Sequence, residues 1–453
     1  MLIICLGFVP GQIDPLNNKK EIVTVTYTSI VHGNDTRLQP IIETFNQANP
    51  GISVQFLPYP AGPMGTIQST EGFKQFAAAK ADTTLNEFNI EESDQFLDLQ
   101  SLIDSDATIQ AEDFWPGEWA GCQDKKGRAV GIPVNLHFHG IFYDQAAFNE
   151  AKISTPEPGW TWDDFRLAVN TLTRKTGNSS RFGYGASDPT YPEILLPLVA
   201  AGINMDDGKL DVDKLSRDLQ WYVDMVKDDK FYPTKDIFKS GNTSKGVDNP
   251  WARLFLENRQ PAMWVGYIRD PLPDLALRAA IAHSKSEEYD PLTHLAISKF
   301  GLAPYPIEAD GSNVHTTPIY ADCALISATS THPHEAMLWL NFLSRQWFMF
   351  DQSKPPSELA NIPARPSVAE KVGFWRTLPA AVEPTVRYGL DHALYQDPDY
   401  KTMKEVYTAL DKAISGKSSL LDALKEANTK VTAKTDPNKN SSTPVAINPG
   451  STQ

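Results

Sequence analysis

The stretch from 21 to 59 constrains the fold more than any other. Residues 21–30 (EIVTVTYTSI) alternate β-branched and polar side chains, as a half-buried strand does. Residues 35–51 then read as a helix. Asp35 is its cap, Ile41, Ile42 and Phe45 recur at helical spacing, and Asn49-Pro50-Gly51 ends it. Residues 52–59 (ISVQFLPY) alternate again. A strand, a helix and a second strand at this spacing form a crossover unit, which implies a parallel sheet and an α/β class. A helix near 64–80 and a short strand at 83–88 extend it.

At 453 residues the chain is too long for one ordinary core, so two lobes are expected. The α/β alternation continues. Residues 127–144 (GRAVGIPVNLHFHGIFYD) are strand-rich, and 132–143 read as one extended strand or two abutting ones crossing between lobes. A helix is predicted over 161–177, with Thr161 as cap, Asp163 and Asp164 in the first turn, Arg174 and Lys175 in the last, and Gly177 as stop. Further helices are expected at 211–230 and 332–347, and strands at 301–306 and 318–328. Gly416 divides helices near 399–415 and 418–431. From 434 to 453 the composition is that of a disordered tail.

Residues 254–270 (LFLENRQPAMWVGYIRD) are informative. Pro261 ends an amphipathic helix, because its ring fixes φ and removes a donor. Residues 262–266 then have the length of a strand buried on both faces. Ligands of open α/β sheets gather at the carboxyl ends of such strands, which makes Gly266 and Tyr267 a ligand edge.

A formal charge of -15 repels nucleic acid and anionic lipid heads, so neither is an expected partner. The 10 Trp, 15 Tyr and 21 Phe leave material for an aromatic-lined pocket after the core is filled. Trp251, Trp264, Trp339 and Trp347 sit at positions that read as core. Three cysteines, Cys5, Cys122 and Cys323, make neither a disulfide framework nor a zinc site. Nothing in their spacing suggests a Cys122–Cys323 bridge, and whether the two pair is left open. Residues 1–20 read as the remnant of a secretory signal and a linker, too short to span a membrane, so export is expected. Ile4 before Cys5 speaks against lipidation there; whether the protein is anchored or freely secreted stays open.

No hydrolase elbow, zinc-protease helix, phosphate loop or dinucleotide fingerprint occurs. Residues 206–213 (DDGKLDVD) lack the closing Glu of a calcium loop and read as a turn. Asp163 and Asp164 point about 100° apart on a helix, so they serve its dipole rather than acid–base chemistry. His137 and His139 share a strand face, but two imidazoles without a third ligand make a poor metal site. A polar face turned to a cleft accounts for them better. No cofactor and no metal are expected.

The ordered segments KGRAVGIPVNLHFHGIFYD, AAFNEAKI, PGWTWDDF, LFLENRQPAMWVGY, GLAPYP, IYADCALISATSTHPHEAMLWLNFL and IPARPSV resemble the family 1 extracellular solute-binding proteins, the sugar-capturing subunits of ABC importers. The resemblance spans about residues 21–430. It departs at 81–96 (ADTTLNEFNIEESDQF), where the family usually shows Pro-Asp-Val.

The resemblance implies a two-lobed α/β periplasmic-binding-protein fold of type II, with mostly parallel sheets and a hinged cleft between lobes. The N-terminal lobe would hold 21–136 and 320–350, and the C-terminal lobe 137–319 and 351–433. The hinge would be the strands near 135–141 and 318–324 with a third crossing near 350. The implied ligand residues are Tyr267 and Gly266 at the strand tip, Asn135 and His137 on the crossing strand, and Tyr191 and Glu193 from the C-terminal lobe. Asn86, Phe88, Ser29 and His32 would come from the N-terminal lobe, and Tyr320 from the return crossing. Tyr267 would stack on a sugar ring; the alternative is that it only covers its own strand end.

The function so implied is capture of a mono- or oligosaccharide and its delivery to an ABC permease, by a monomeric exported protein that is not an enzyme. The rivals are a non-sugar solute (polyamine, phosphodiester or peptide) on the same scaffold, or a secreted glycan-active enzyme, which would need paired carboxylates. One acid, Glu193, and no Arg among the ligand residues favour a neutral solute.

Overall fold

The computed structural model describes residues 22–29, 38–59, 70–86, 93–124, 126–174, 181–186, 192–204, 208–232, 261–268, 300–346, 361–394 and 400–435. The strands are β1 (Val23–Ser29), β2 (Ile52–Phe56), β3 (Thr83–Asn86), β4 (Gly131–Asp144), β5 (Tyr184–Gly185), β6 (Phe231–Tyr232), β7 (Met263–Tyr267), β8 (Phe300–Ala303), β9 (Thr317–Ile326), β10 (Ile362–Pro363) and β11 (Ala393–Leu394). Their order is β2-β1-β3-β9-β4-β7-β5-β6, with β8 and β10 also on β4 and β11 on β9.

The opening crossover unit forms as its sequence period requires. β1 and β2 pair in parallel, and the helix Leu38–Ala48 buries Leu38, Ile42 and Phe45 against them. The Asn46 side chain clamps the helix to β2, accepting from the Val54 N–H at 2.8 Å and donating to its carbonyl. Trp339, fully buried on the helix Pro333–Leu343, packs its ring edge-on against Tyr27 and Phe45. Trp264 is equally buried, so both tryptophans are core as expected.

β4 is one continuous strand of 14 residues. Its first part, from Gly131 to Phe138, pairs antiparallel with β9; its last part, from His139 to Asp144, pairs with β7 and β8. β9 in turn reaches β3 through Cys323 to Ile326 and β11 through Thr317 and Pro318. Two strands therefore run through both halves of the molecule. Separate apolar clusters flank them. One gathers Val25, Leu85, Ile132, Val134 and Trp339, the other Ile141, Phe165, Leu219, Met263 and Val265. The helices Tyr400–Ile414 and Leu420–Thr435 add Val406, Leu410 and Leu424 to the second cluster, and Gly416, at φ +75°, turns the chain between them.

Three expectations are corrected. The helix capped by Thr161 starts as foreseen, with a capping box to Asp164, but runs only over Trp162–Leu172. Thr173 is extended, its hydroxyl donates to the Val169 carbonyl and accepts from the Gly183 N–H, and Arg174 bridges to Arg181 instead of extending the helix. A close approach fixes this exit: a Cβ on Gly183 would stand 2.2 Å from the Val169 carbonyl oxygen. The second concerns the cysteines, whose pairing the sequence leaves open and the structure decides. Cys122 and Cys323 form a disulfide, with Cα atoms 5.7 Å apart, across 201 residues of sequence. Their spacing carried no hint because strand pairing brings them together: Cys323 lies opposite Pro133 on β4, and the Val130 and Gly131 N–H groups both donate to the Cys122 carbonyl. Third, the last helix persists to Thr435, past the expected start of a disordered tail. The expectations at residues 1–20 including Cys5, at 254–260, Trp251, Trp347, near 350 and at 436–453 lie outside the described residues.

Candidate functional site

Three strands and one short turn assemble the site. Alternate residues of a strand project to one side, so Asn135, His137 and His139 share a face of β4, while Leu136 and Phe138 enter the apolar layer beyond. On β9, Tyr320 and Asp322 share a face in the same way; the register sets Tyr320 opposite His137 and Asp322 opposite Asn135. β7 brings Gly266 opposite Gly140 and Tyr267, its last residue, opposite His139. The 3₁₀ turn Glu193–Leu195 supplies Glu193.

The polar centre is buried. His137 Nε2 lies 2.8 Å from Asp322 Oδ1, and Asn135 Nδ2 donates to Asp322 Oδ2 at 3.4 Å. A carboxylate only accepts, so that bond needs the His137 proton on Nε2. Beside this group the ring of Tyr267 stands 3.9 Å from that of His139 and 6.1 Å from that of His137, centroid to centroid. Tyr320 lies 5.1 Å from His139 on the same measure.

His139 is only 2 % exposed, and neither of its ring nitrogens has a hydrogen-bond partner among the described residues. Glu193 Oε2 is 3.8 Å from its Nδ1, beyond hydrogen-bond reach. Burial first, and the neighbouring His137 second, pull the His139 pKa down to about 3, so the imidazole is neutral at ordinary pH. Tyr184 and Tyr305 are fully buried near Glu193; burial pushes both phenols well above their usual range, and Glu193 adds to the effect.

On the other side, Ser29 ends β1, buried, and its hydroxyl bonds with the Tyr27 phenol. Burial raises the pKa of that phenol; the Ser29 bond opposes this and the Asp322 charge adds to it. Asn86 lies opposite Cys323, the neighbour of Asp322 on β9.

The structure thus brings together Asn135, His137, Glu193, Gly266, Tyr267 and Tyr320, while Ser29 and Asn86 end the strands β1 and β3. His32, Phe88 and Tyr191 lie outside the described residues. Two members escaped the sequence reading. His139 was paired with His137 on one face but left out of the ligand set. Asp322 was passed over, although an acid in the middle of the apolar run of residues 318–328 is the kind of signal that marks a buried polar centre.

Such an arrangement is chemically suited to recognising a ligand rather than to acid–base work. Aromatic planes stand beside carboxylate, amide and imidazole groups, and the set contains no Arg or Lys. Among the described residues no group of three His, Cys, Asp or Glu side chains is placed to hold a metal, and no helix is long and apolar enough to cross a membrane. A cavity of about 440 Å³ lined by Tyr143, Phe300, Leu302, Thr377, Leu378 and Val382 involves none of the residues just described.

Comparison with known proteins bears on this geometry. No curated protein sequence matches the chain. Among solved structures, a sugar transporter of Rhizobium etli in an open conformation is similar with a TM-score of 0.66 at 16 % identity, over 91 % of this chain and 99 % of that one. The sugar-binding protein MalE of Xanthomonas citri gives 0.66 at 15 % identity, over 92 % and 98 %. An ABC transporter solute-binding protein of Thermotoga lettingae, bound with α-D-tagatose, gives 0.61 at 18 %, over 92 % and 100 %. At such identities the likeness is one of fold, the two-lobed α/β fold of periplasmic binding proteins. The model of the bacterial extracellular solute-binding proteins matches residues 32–346. Over that length the match decides lineage: the chain belongs to the bacterial extracellular solute-binding protein family.

Proposed function

We propose that this exported protein captures a carbohydrate in the cleft at β4, β7 and β9 and delivers it to an ABC permease. The observation that carries the proposal is the pairing of Tyr267 and Tyr320 with His137, Asp322, Asn135 and Glu193 on and beside the strands common to both halves. A sugar ring offers an apolar C–H face and a rim of hydroxyls; aromatic planes take the first, polar side chains the second. Relatives of this fold bound with tagatose, maltose and mannitol support the same reading. The lobe division at 21–136 with 320–350 and 137–319 with 351–433 belongs to the proposal. Ligand bridging the lobes shifts an open–closed equilibrium, the domain closure for which periplasmic binding proteins are a standard example.

Bond-breaking is not part of the role. Asp322 is engaged by His137 and Asn135, as a residue of a binding surface would be. A thermal-shift screen against mono- and oligosaccharides, spermidine and a phosphodiester tests the proposal. A sugar at 100 times its dissociation constant adds about 2.7 kcal/mol of stability. A response to spermidine or the phosphodiester with none to any sugar overturns the ligand class, and turnover of chromogenic glycosides overturns the binding-only role.

A further inference from the structure

We propose that His139 is a specificity-determining residue of the cleft: its neutral imidazole bonds a hydroxyl of the ligand once Tyr267 is lifted from it. The inference rests on the carbohydrate reading and narrows it to neutral, polyhydroxylic solutes selected at a single ring position.

The starting point is an unmet polar group. His139 sits among aromatic rings, 2 % exposed, with both nitrogens buried and without a hydrogen-bond partner among the described residues. Buried donors and acceptors in native proteins find partners, and leaving one unmet costs free energy. Among the described residues, near neighbours do not fill the need. Glu193 Oε2 is 3.8 Å away, and His137 is committed to Asp322. A ligand hydroxyl would supply the bonds that the described residues do not.

The chemistry of that ligand follows from the ring. A neutral imidazole presents one donor and one acceptor. An ammonium group only donates and a carboxylate only accepts, so neither meets both nitrogens; hydroxyls do. The low pKa of His139 keeps the ring in this state across the range in which bacteria live.

Access is decided by the two tyrosines that cover the ring. Tyr320 lies within β9, its backbone paired with His137 on β4. Tyr267, half-buried like Tyr320, is the last residue of β7 and lies against the imidazole of His139. A sugar that displaces Tyr267 from His139 would exchange one apolar contact for another on the tyrosine and gain the hydrogen bonds that the histidine lacks.

The test is isothermal titration of the full chain with maltose, D-glucose, D-tagatose and D-mannitol, then with the monodeoxy derivatives of the tightest binder, on wild type and on His139→Leu. A site built to bond a hydroxyl rejects the analogue without it. One deoxy position should cost wild type about 10- to 100-fold in affinity, and that penalty should shrink below about threefold in His139→Leu. His139→Gln, which keeps a donor and an acceptor, should retain most of it. Equal deoxy penalties in wild type and His139→Leu overturn the inference and leave the carbohydrate reading standing. If wild type binds none of these sugars, the carbohydrate reading fails and takes the inference with it. Should His139→Leu not fold, ring ¹⁵N spectra of wild type decide. His139 nitrogens that shift with the parent sugar but not with the discriminating deoxy sugar support the role, and unchanged nitrogens overturn it.

Discussion

The phenol ring of Tyr267 rests against the imidazole of His139, centroids 3.9 Å apart and planes tilted by 64°. The tyrosine is therefore supported from within the sheet yet only half-buried, which suits a surface that a sugar ring can join. Tyr267→Ala should weaken sugar binding by about 1–3 kcal/mol, roughly tenfold to a hundredfold. Tyr267→Phe should retain most of the affinity, since the ring face makes the contact. Titration and melting of both variants check this. A Tyr267→Ala protein that binds normally but melts far earlier would reduce the tyrosine to a cover for its own strand end.

Because β4 and β9 both run through the two halves, ligand-driven movement should pivot about them. Small-angle scattering should show a smaller radius of gyration with saturating sugar than without. An unchanged radius, with binding proven independently, would reject a closing hinge.

The bridge between Cys122 and Cys323 closes a loop of 201 residues. In the chain-entropy view, cross-linking so long a loop stabilises the fold by up to about 5 kcal/mol. Reduction, or the double variant Cys122→Ala/Cys323→Ala, should lower both the melting temperature and the denaturant midpoint. Identical midpoints for oxidised and reduced protein would show that the bridge contributes nothing to stability.

The pKa of His139 in the fold, about 3, lies below the ordinary 6.5. As pH falls through 6.5 the unfolded chain takes up a proton there and the native ring does not. The contribution of this group to stability is thus full above pH 6.5 and declines toward pH 3, by about 2 kcal/mol at pH 5. Glu118 acts in the opposite sense. Burial holds its carboxyl well above the ordinary 4.5, so its contribution is present below that pH and is lost as pH rises. Denaturation at pH 7 and pH 5 should show His139→Leu losing about 2 kcal/mol less than wild type over the interval. Equal losses would contradict a buried neutral ring.

What the sequence revealed was whatever depends on local period. The crossover unit, the long strand through His137 and the strand ending at Tyr267 all follow from alternation or from a proline. The partners did not. Asp322 reaches His137 only because β9 and β4 pair across 185 residues, and Cys323 reaches Cys122 through the same pairing. Nothing in the neighbourhood of either residue encodes its partner. The end of the helix at Leu172 was misjudged for a related reason: Gly183, ten residues beyond Thr173, sets the exit.

The place of β9 between β3 and β4 has a consequence for biogenesis. A polypeptide leaves the ribosome from its N-terminus, so β1, β2, β3 and the first part of β4 are all delivered while the strand that must lie among them is still unmade. Until Ile326 has emerged, β3 and β4 each keep a vacant edge, and Cys122 waits as a thiol for a partner 201 residues downstream. The half of the molecule that is born first must wait for a strand made much later. The bridge thus ties a cysteine of the part made first to one that arrives only with the strand that completes its sheet.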